Sequence, residues 1–299
     1  MTRRTWLIFA AMCVIWGIPY LLIRVAVRDV TPATLVFART AIGGLILLPL
    51  VLRGGGFGPV LRRWRPLIAF TVIEMAVPWW LLSDAETKLS SSMAGLLIAA
   101  VPLVGVLVAR LFGSDDRVQV ARLVGLLLGV AGVAMLVGLD LGDIHIAAVL
   151  EIAAVVLGYA LGPVILTRRL ADLSSIPVVS ASLLLTALAY LPFVIISPPH
   201  NVPVEAAGSI VLLGTVCTAL AFVLFFALIA AIGPARATVI TYVNPAVAVL
   251  FGVTLLGEQF TLGMAVGFPL ILAGSVLAAR RAKDPTVAVA EPASIALCD

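Results

Sequence analysis

The sequence predicts an all-α polytopic membrane protein of ten transmembrane helices, built as two inverted five-helix repeats with both termini cytoplasmic. Three observations carry this expectation: an apolar composition cut into bilayer-length runs, basic residues gathered in alternate loops, and self-similarity at one fixed shift. The chain has 299 residues, 63% hydrophobic and only 11% charged, whereas soluble domains are nearer ~25% charged. Ten spans of about 22 residues each would fill most of it. That leaves short loops and no room for a soluble catalytic domain.

Taken in order, apolar segments run over residues 5–27, 32–52, 66–83, 91–112, 119–139, 144–167, 174–196, 207–231, 235–256 and 261–279, with Gly, Pro or charged residues at each boundary. The first follows Arg3 and Arg4 as a signal peptide would. Its apolar run continues to Ala26, longer than a usual h-region, so it reads as a retained span. The third and fourth are parted only by a polar hinge, Ser83-Asp84-Ala85-Glu86-Thr87-Lys88, and the eighth and ninth by Ile232-Gly233-Pro234. Residues 284–299 carry no periodic apolar face and read as a disordered cytoplasmic tail. Cys13, Cys217 and Cys298 share no motif spacing, which points to neither a disulfide framework nor a metal site.

Loop charge sets the orientation. Alternate loops and the two ends of the chain hold Arg3, Arg4, Arg53, Arg62, Arg63, Arg65, Arg110, Arg117, Arg122, Arg168, Arg169, Arg236, Arg280, Arg281 and Lys283. The opposite side holds Arg24, Arg28 and Lys88, and Arg39 lies within a span. Both termini are therefore expected in the cytoplasm, with an even number of spans.

A constant shift of 143 places Asp29 on Asp172, Pro49 on Pro192, Ala76 on Ala219, Ala94 on Ala237 and Pro102 on Pro245. It also sets Trp16 on Tyr159, Trp79 on Phe222 and Asp115 on Glu258. Matched prolines and acids at an ungapped shift divide the chain into repeats over residues 1–139 and 140–283. Each repeat has five spans, an odd number, so the second must enter the membrane from the opposite face. That is the arrangement of transporters that rock around a midplane site.

These features resemble the EamA-type branch of the drug/metabolite transporter superfamily. The likeness rests on Trp16-Gly17, Arg39, Pro102, the glycine-rich fifth span, Asn244-Pro245 and Gly257-Glu258, and it covers residues 5–280. The first repeat departs in having Ser114-Asp115 where the second has Gly257-Glu258. The resemblance implies cytoplasmic termini, a central cavity and secondary transport, often efflux of metabolites, without naming a substrate.

Charged and polar residues within spans are costly facing lipid, so they are the candidates for function. Glu74 lies about nine residues into the third span, roughly 13 Å deep. It reads either as a proton carrier or as a structural carboxyl. Arg39 and Glu151 are expected at similar depth, as an ion pair gating the outer side or as two groups satisfied separately; Glu151 is a second candidate for proton coupling. Trp16, Tyr20, Trp79, Trp80, Tyr159 and Tyr242 are candidates for lining a substrate pathway, which would suit amphipathic or aromatic solutes. The alternative for each ring is packing or interface anchoring, as Trp6 and Trp64 suit. The Trp16-Gly17-Ile18-Pro19 segment is expected to kink its helix. Asn244, beside Thr241 and Tyr242, either contacts substrate or caps a carbonyl at the Pro245 kink. Glycines at four-residue spacing in the fifth and tenth spans read as close helix contacts within the chain, with homodimerisation as the alternative. Glu258 and Asp115 read as solvated or capping groups.

The expected protein is thus a multi-pass secondary transporter of the plasma (inner) membrane, exporting small metabolites, amino acids or amphipathic and aromatic compounds by alternating access, with proton coupling open. Its partners are a small-molecule substrate and the lipid bilayer, with no nucleic acid, and a monomer is favoured over a homodimer. No cofactor or metal is expected. No Walker-type phosphate loop occurs. An intramembrane enzyme would need paired acids, a His-x-x-x-His set or a Gly-x-Ser-x-Gly elbow within the spans, and none is present. A scaffold or sensor subunit is the remaining alternative.

Overall fold

The computed structural model describes residues 2–112, 120–138, 145–237 and 239–279. Among these the regular structure is helical, with no strand. The apolar helical segments are α1 (Arg3–Ala26), α2 (Pro32–Arg53), α3 (Trp64–Lys88), α4 (Ser91–Leu111), α5 (Leu123–Gly138), α6 (Ile146–Arg169), α7 (Ser175–Ile196), α8 (Val204–Ile232), α9 (Ile240–Leu256) and α10 (Leu262–Ala278). Seven of them are long and apolar enough to cross a membrane; α5, α9 and α10 are shorter apolar helices. Asp115 and the expected disordered tail at 284–299 lie outside the described residues.

Local chemistry accounts for the boundaries. Thr31 caps α2 by accepting the Thr34 N–H at 3.2 Å, with Pro32 in the first helical position. Ser90 caps α4 by accepting from Met93 N at 3.1 Å. Gly257, at φ 68°, takes the left-handed conformation that ends α9. One boundary expected from sequence is overturned. Ser83–Lys88 is not a hinge but the last turns of α3, because Ser83, Ala85 and Glu86 present a fully buried face to the bundle. The turn is only Leu89-Ser90.

The most extensive helix contacts all join one helix of the first repeat to one of the second, among them α5 with α10, α2 with α7, α3 with α6, α4 with α9, and α1 with α8. Exchanging each helix for its repeat-mate returns the same set, so the contact pattern has two-fold character. The repeats interleave as sequence units and are not separate lobes.

Repeat-mates that touch run antiparallel. Gly95 of α4 meets Ala248 of α9, while Ser92, earlier in α4, meets Gly252, later in α9. On α5 and α10 the opposed positions are Gly125 with Gly274 and Ala278, Gly129 with Gly274, and Gly132 with Gly267 and Ile271. A Cβ at Gly274 would lie 2.5 Å from the Gly129 backbone nitrogen, and one at Gly125 2.6 Å from that of Ala278. Backbone meets backbone along this seam, so the small-residue faces are consumed within the chain.

The exterior is apolar, with Leu7, Leu45, Leu52, Leu127, Leu150 and Leu255 exposed, as a surface bathed in hydrocarbon requires. Because a backbone atom cannot yield as a side chain can, Gly274→Leu is expected to cost about 3 kcal/mol or more by overpacking. Gly208→Ala on α8, which opens into empty space, should be neutral or slightly stabilising. Thermal unfolding of both variants in detergent measures the difference.

Candidate functional site

A buried arginine organises the interior. Arg39 sits on α2, only 7% exposed. Its Nε donates to the Thr218 hydroxyl at 3.0 Å, and its guanidinium lies 3.8 Å over the Trp79 ring. Guanidinium suits such a place because it is weakly hydrated, planar and able to stack. Neither Nη nitrogen has a hydrogen-bond partner among the described residues, so the terminal fork of Arg39 remains unused.

Both partners come from helices with a locally widened winding. Residues Thr71–Ala76 of α3 and Thr215–Leu220 of α8 form π-helical turns, which often mark functional positions. The second presents Thr218 and Cys217; the first carries Glu74 and leads into Trp79. A 143-residue shift aligns Glu74 with Cys217, so the equivalent turns carry different chemistry.

Tyr20 of α1, Tyr159 of α6 and Cys217 lie within electrostatic reach of Arg39, and so does Glu86 of α3. Tyr159 packs against the buried cluster that contains Trp79. Glu86 is fully buried, and among the described residues neither of its carboxylate oxygens has a hydrogen-bond partner. Arg24 approaches it from α1 but donates to its backbone carbonyl. Sequence reasoning missed Glu86 by placing it in a loop. Its spacing of seven from Trp79, which returns to the same helix face, was the available signal. Glu74 packs its carboxyl over Gly162 of α6, where a Cβ would collide with it, and its Oε2 is buried without a partner.

The remaining expected residues divide. Trp16 packs edge-on against Phe222, at 6.0 Å, and tilted against Phe225, at 4.6 Å. It belongs to an aromatic joint between α1 and α8. Trp80, 37% exposed, lies on another side of α3 from the buried Trp79, since consecutive helical residues are about 100° apart. Arg39 and Glu151 are not paired. Glu151 instead accepts from Lys88 Nζ at 3.2 Å, next to the Lys88–Asp84 pair at 2.5 Å.

The kinks satisfy one another. In α1 the Gly17 N–H turns back to the Val14 carbonyl, which diverts it from the Cys13 carbonyl. Asn244, with its amide nitrogen facing α1, donates to Cys13 O at 3.1 Å and to Ile240 O at 2.9 Å. In α4 the Leu103 N–H bonds Ala100 O, and the Ala99 carbonyl accepts from the Ser275 hydroxyl of α10 at 3.1 Å. Tyr242 reaches the Ser275 carbonyl at 3.5 Å.

A carboxylate closes one end. Glu258, just past α9, accepts from Ser91 N (2.7 Å), Ser91 Oγ (2.9 Å), Ser92 N (2.9 Å) and Ser92 Oγ (2.5 Å). An anion suits this place because the first N–H groups of α4 have no intrahelical acceptor. Sequence reading had it as solvated or capping; it caps, but across the two repeats.

Comparison with known proteins agrees with this architecture. The model of the EamA-like transporter family matches residues 4–138 and again 146–280. The uncharacterized inner membrane transporter YedA of Escherichia coli K12 is 29% identical over 258 residues, covering 84% of this chain and 82% of that protein. An uncharacterized transporter of Archaeoglobus fulgidus is 22% identical over 286 residues, 93% of this chain and 99% of its own. The uncharacterized transporter YvbV of Bacillus subtilis is 23% identical over 94% of this chain and 93% of its own. A crystal structure at 24% identity superposes with a TM-score of 0.66, covering 93% of this chain and 97% of the other, which is a likeness of fold.

Glu258→Ala removes two acceptor oxygens and the four hydrogen bonds they receive, and orphans two N–H groups. It is expected to destabilise the α4–α9 contact by about 1–3 kcal/mol and to speed hydrogen exchange at the Ser91 and Ser92 amides. Glu258→Gln, keeping one acceptor oxygen, should fall between. Exchange mass spectrometry on the purified protein reads this directly.

Proposed function

The chain belongs to the EamA-like transporter family, and from that premise we propose a secondary transporter that moves a small molecule by alternating access. It is an integral, multi-pass membrane protein. In this reading all ten apolar helices span the bilayer, the repeats are residues 1–139 and 140–283 with opposite orientation, and both termini lie in the cytoplasm. Support comes from the bias of arginine to alternate loops and from the antiparallel run of α4 with α9 and of α5 with α10. The membrane is the plasma membrane and the direction is export, in keeping with the inner membrane named for YedA and with the resemblance to efflux proteins.

One observation carries the site: the same interior, walled by aromatic rings, holds the Arg39 fork, which has no hydrogen-bond partner among the described residues, and a Glu86 carboxyl buried without one. Leaving such groups without partners costs several kcal/mol each, a cost a substrate could offset by bonding to them. Arg39 is assigned to an anionic or carbonyl group of the substrate, and Tyr20, Trp79 and Tyr159 to its apolar body. Small metabolites, amino acids and amphipathic or aromatic compounds fit that description. Glu86 and Glu74 take a proton or a cationic group of the substrate, with Glu151 a further candidate for coupling. Trp16, Asn244 and Tyr242 border this interior by holding the kinked helices together. With no Walker-type loop in the sequence, an ion gradient or the substrate's own gradient supplies the energy. The Glu258 clasp serves as the gate of the end it closes.

Uptake and counterflow in proteoliposomes, against a panel of amino acids, amines and dyes with and without a pH gradient, tests this. Exchange of at least one solute class is expected, and exchange of none would sink the proposal. Arg39→Gln should lower transport about tenfold or more, the worth of a charge-assisted hydrogen bond. Glu74→Gln and Glu86→Gln should abolish any dependence on the pH gradient; coupling unchanged in both would remove these carboxyls from the mechanism.

A further inference from the structure

A cluster of arginines lies away from the interior, at one end of the bundle. A cavity of about 290 Å³ there is lined by Arg62 and Arg63, just before α3, by Trp64, Arg65 and Pro66 at its start, and by Arg169 at the end of α6. Arg63 is already committed: it donates to Asp172 Oδ2 at 2.7 Å and to the Arg169 carbonyl at 2.8 Å. That is the one ion pair at the cavity among the described residues. Among the described residues Arg62 and Arg169 have no acidic partner, and Arg65 makes only a cation–π contact, 5.3 Å over the Trp64 ring. Three guanidinium groups thus converge on one concavity that supplies no counter-charge.

Their surroundings say what kind of anion would fit. Leu61, Trp64 and Ile68 are 56%, 54% and 44% exposed, a large apolar strip that leads from the cavity onto the lipid-facing side of α3. Trp64 and Ile68 are four residues apart and share a helix face. Guanidinium forks match phosphate oxygens two at a time. A soluble phosphate would use the forks and leave the apolar strip bare, whereas a phospholipid uses both.

We infer that this cavity is a binding site for the headgroup of an anionic phospholipid, with Arg62, Arg65 and Arg169 holding the phosphodiester and Leu61, Trp64 and Ile68 receiving the start of an acyl chain. The bound lipid bridges the two repeats where Arg63 and Asp172 already join them. This site is distinct from the interior around Arg39 and does not depend on the transport reading.

Native mass spectrometry of the purified, delipidated full-length protein tests it, with phosphatidylglycerol and phosphatidylcholine as probes. Phosphatidylglycerol is expected to bind preferentially. Each of Arg62→Gln, Arg65→Gln and Arg169→Gln should weaken that binding about fivefold, and the triple variant about a hundredfold, with phosphatidylcholine unchanged. These side chains are exposed, so the variants should melt as the parent does in phosphatidylcholine; the three single variants carry the test if the triple loses its fold. Equal binding of both lipids, or a preference kept by the variants, overturns the inference. Displacement of phosphatidylglycerol by millimolar inorganic phosphate also overturns it, by showing a site for a free anion.

Discussion

Hydrocarbon offers a backbone carbonyl no partner, and that constraint reaches through most of this structure. The breaks in α1 and α4 each divert an N–H from the carbonyl it would ordinarily serve. In water this would cost little. Here the diverted carbonyls of Cys13 and Ala99 must be met by side chains from other helices, Asn244 and Ser275. Each kink is thereby tied to a neighbour, α1 to α9 and α4 to α10. The irregular backbone that loosens single helices also specifies how they are joined.

Two-fold pairing of helices coexists with chemistry that is not two-fold. The shift that relates the repeats sets Ser182 against Arg39, Cys217 against Glu74 and Val101 against Asn244. It also sets Pro234 and Ala235 against Ser91 and Ser92. Proline has no N–H and alanine no hydroxyl, so the fourfold grip on Glu258 cannot be reproduced with those residues. One end of the bundle therefore has a polar clasp whose equivalent at the other must be built differently.

Much of the fold was legible in the sequence because hydrocarbon imposes long apolar runs and punctuates them with Gly, Pro and charge. The repeat was legible because prolines and acids recur at one shift. The site was only partly so. Arg39, Tyr20, Trp79 and Tyr159 stand out as polar or aromatic residues within spans, and the structure brings them together. Glu86 was missed because a run of polar residues looks like a loop when only one face of its helix is buried. Trp79 and Trp80 read alike because adjacency in sequence does not reveal that one ring is buried and the other 37% exposed. The partner of Arg39 could not be read, since Thr218 is 179 positions away and is presented by a π-helical turn that leaves no local sequence signature.

The interleaving of the repeats bears on how the protein is made. The most extensive helix contacts all join the first repeat to the second, so α1 to α5 leave the ribosome with none of their principal neighbours yet synthesised. During that interval Arg39 lacks Thr218, Ser91 and Ser92 lack Glu258, and the glycine face of α5 lacks α10. Polar groups that are satisfied in the finished bundle must wait in or beside the bilayer for the chain's second half. Assembly of this molecule is therefore an event of late biosynthesis, and its vulnerable stage is the half-made chain.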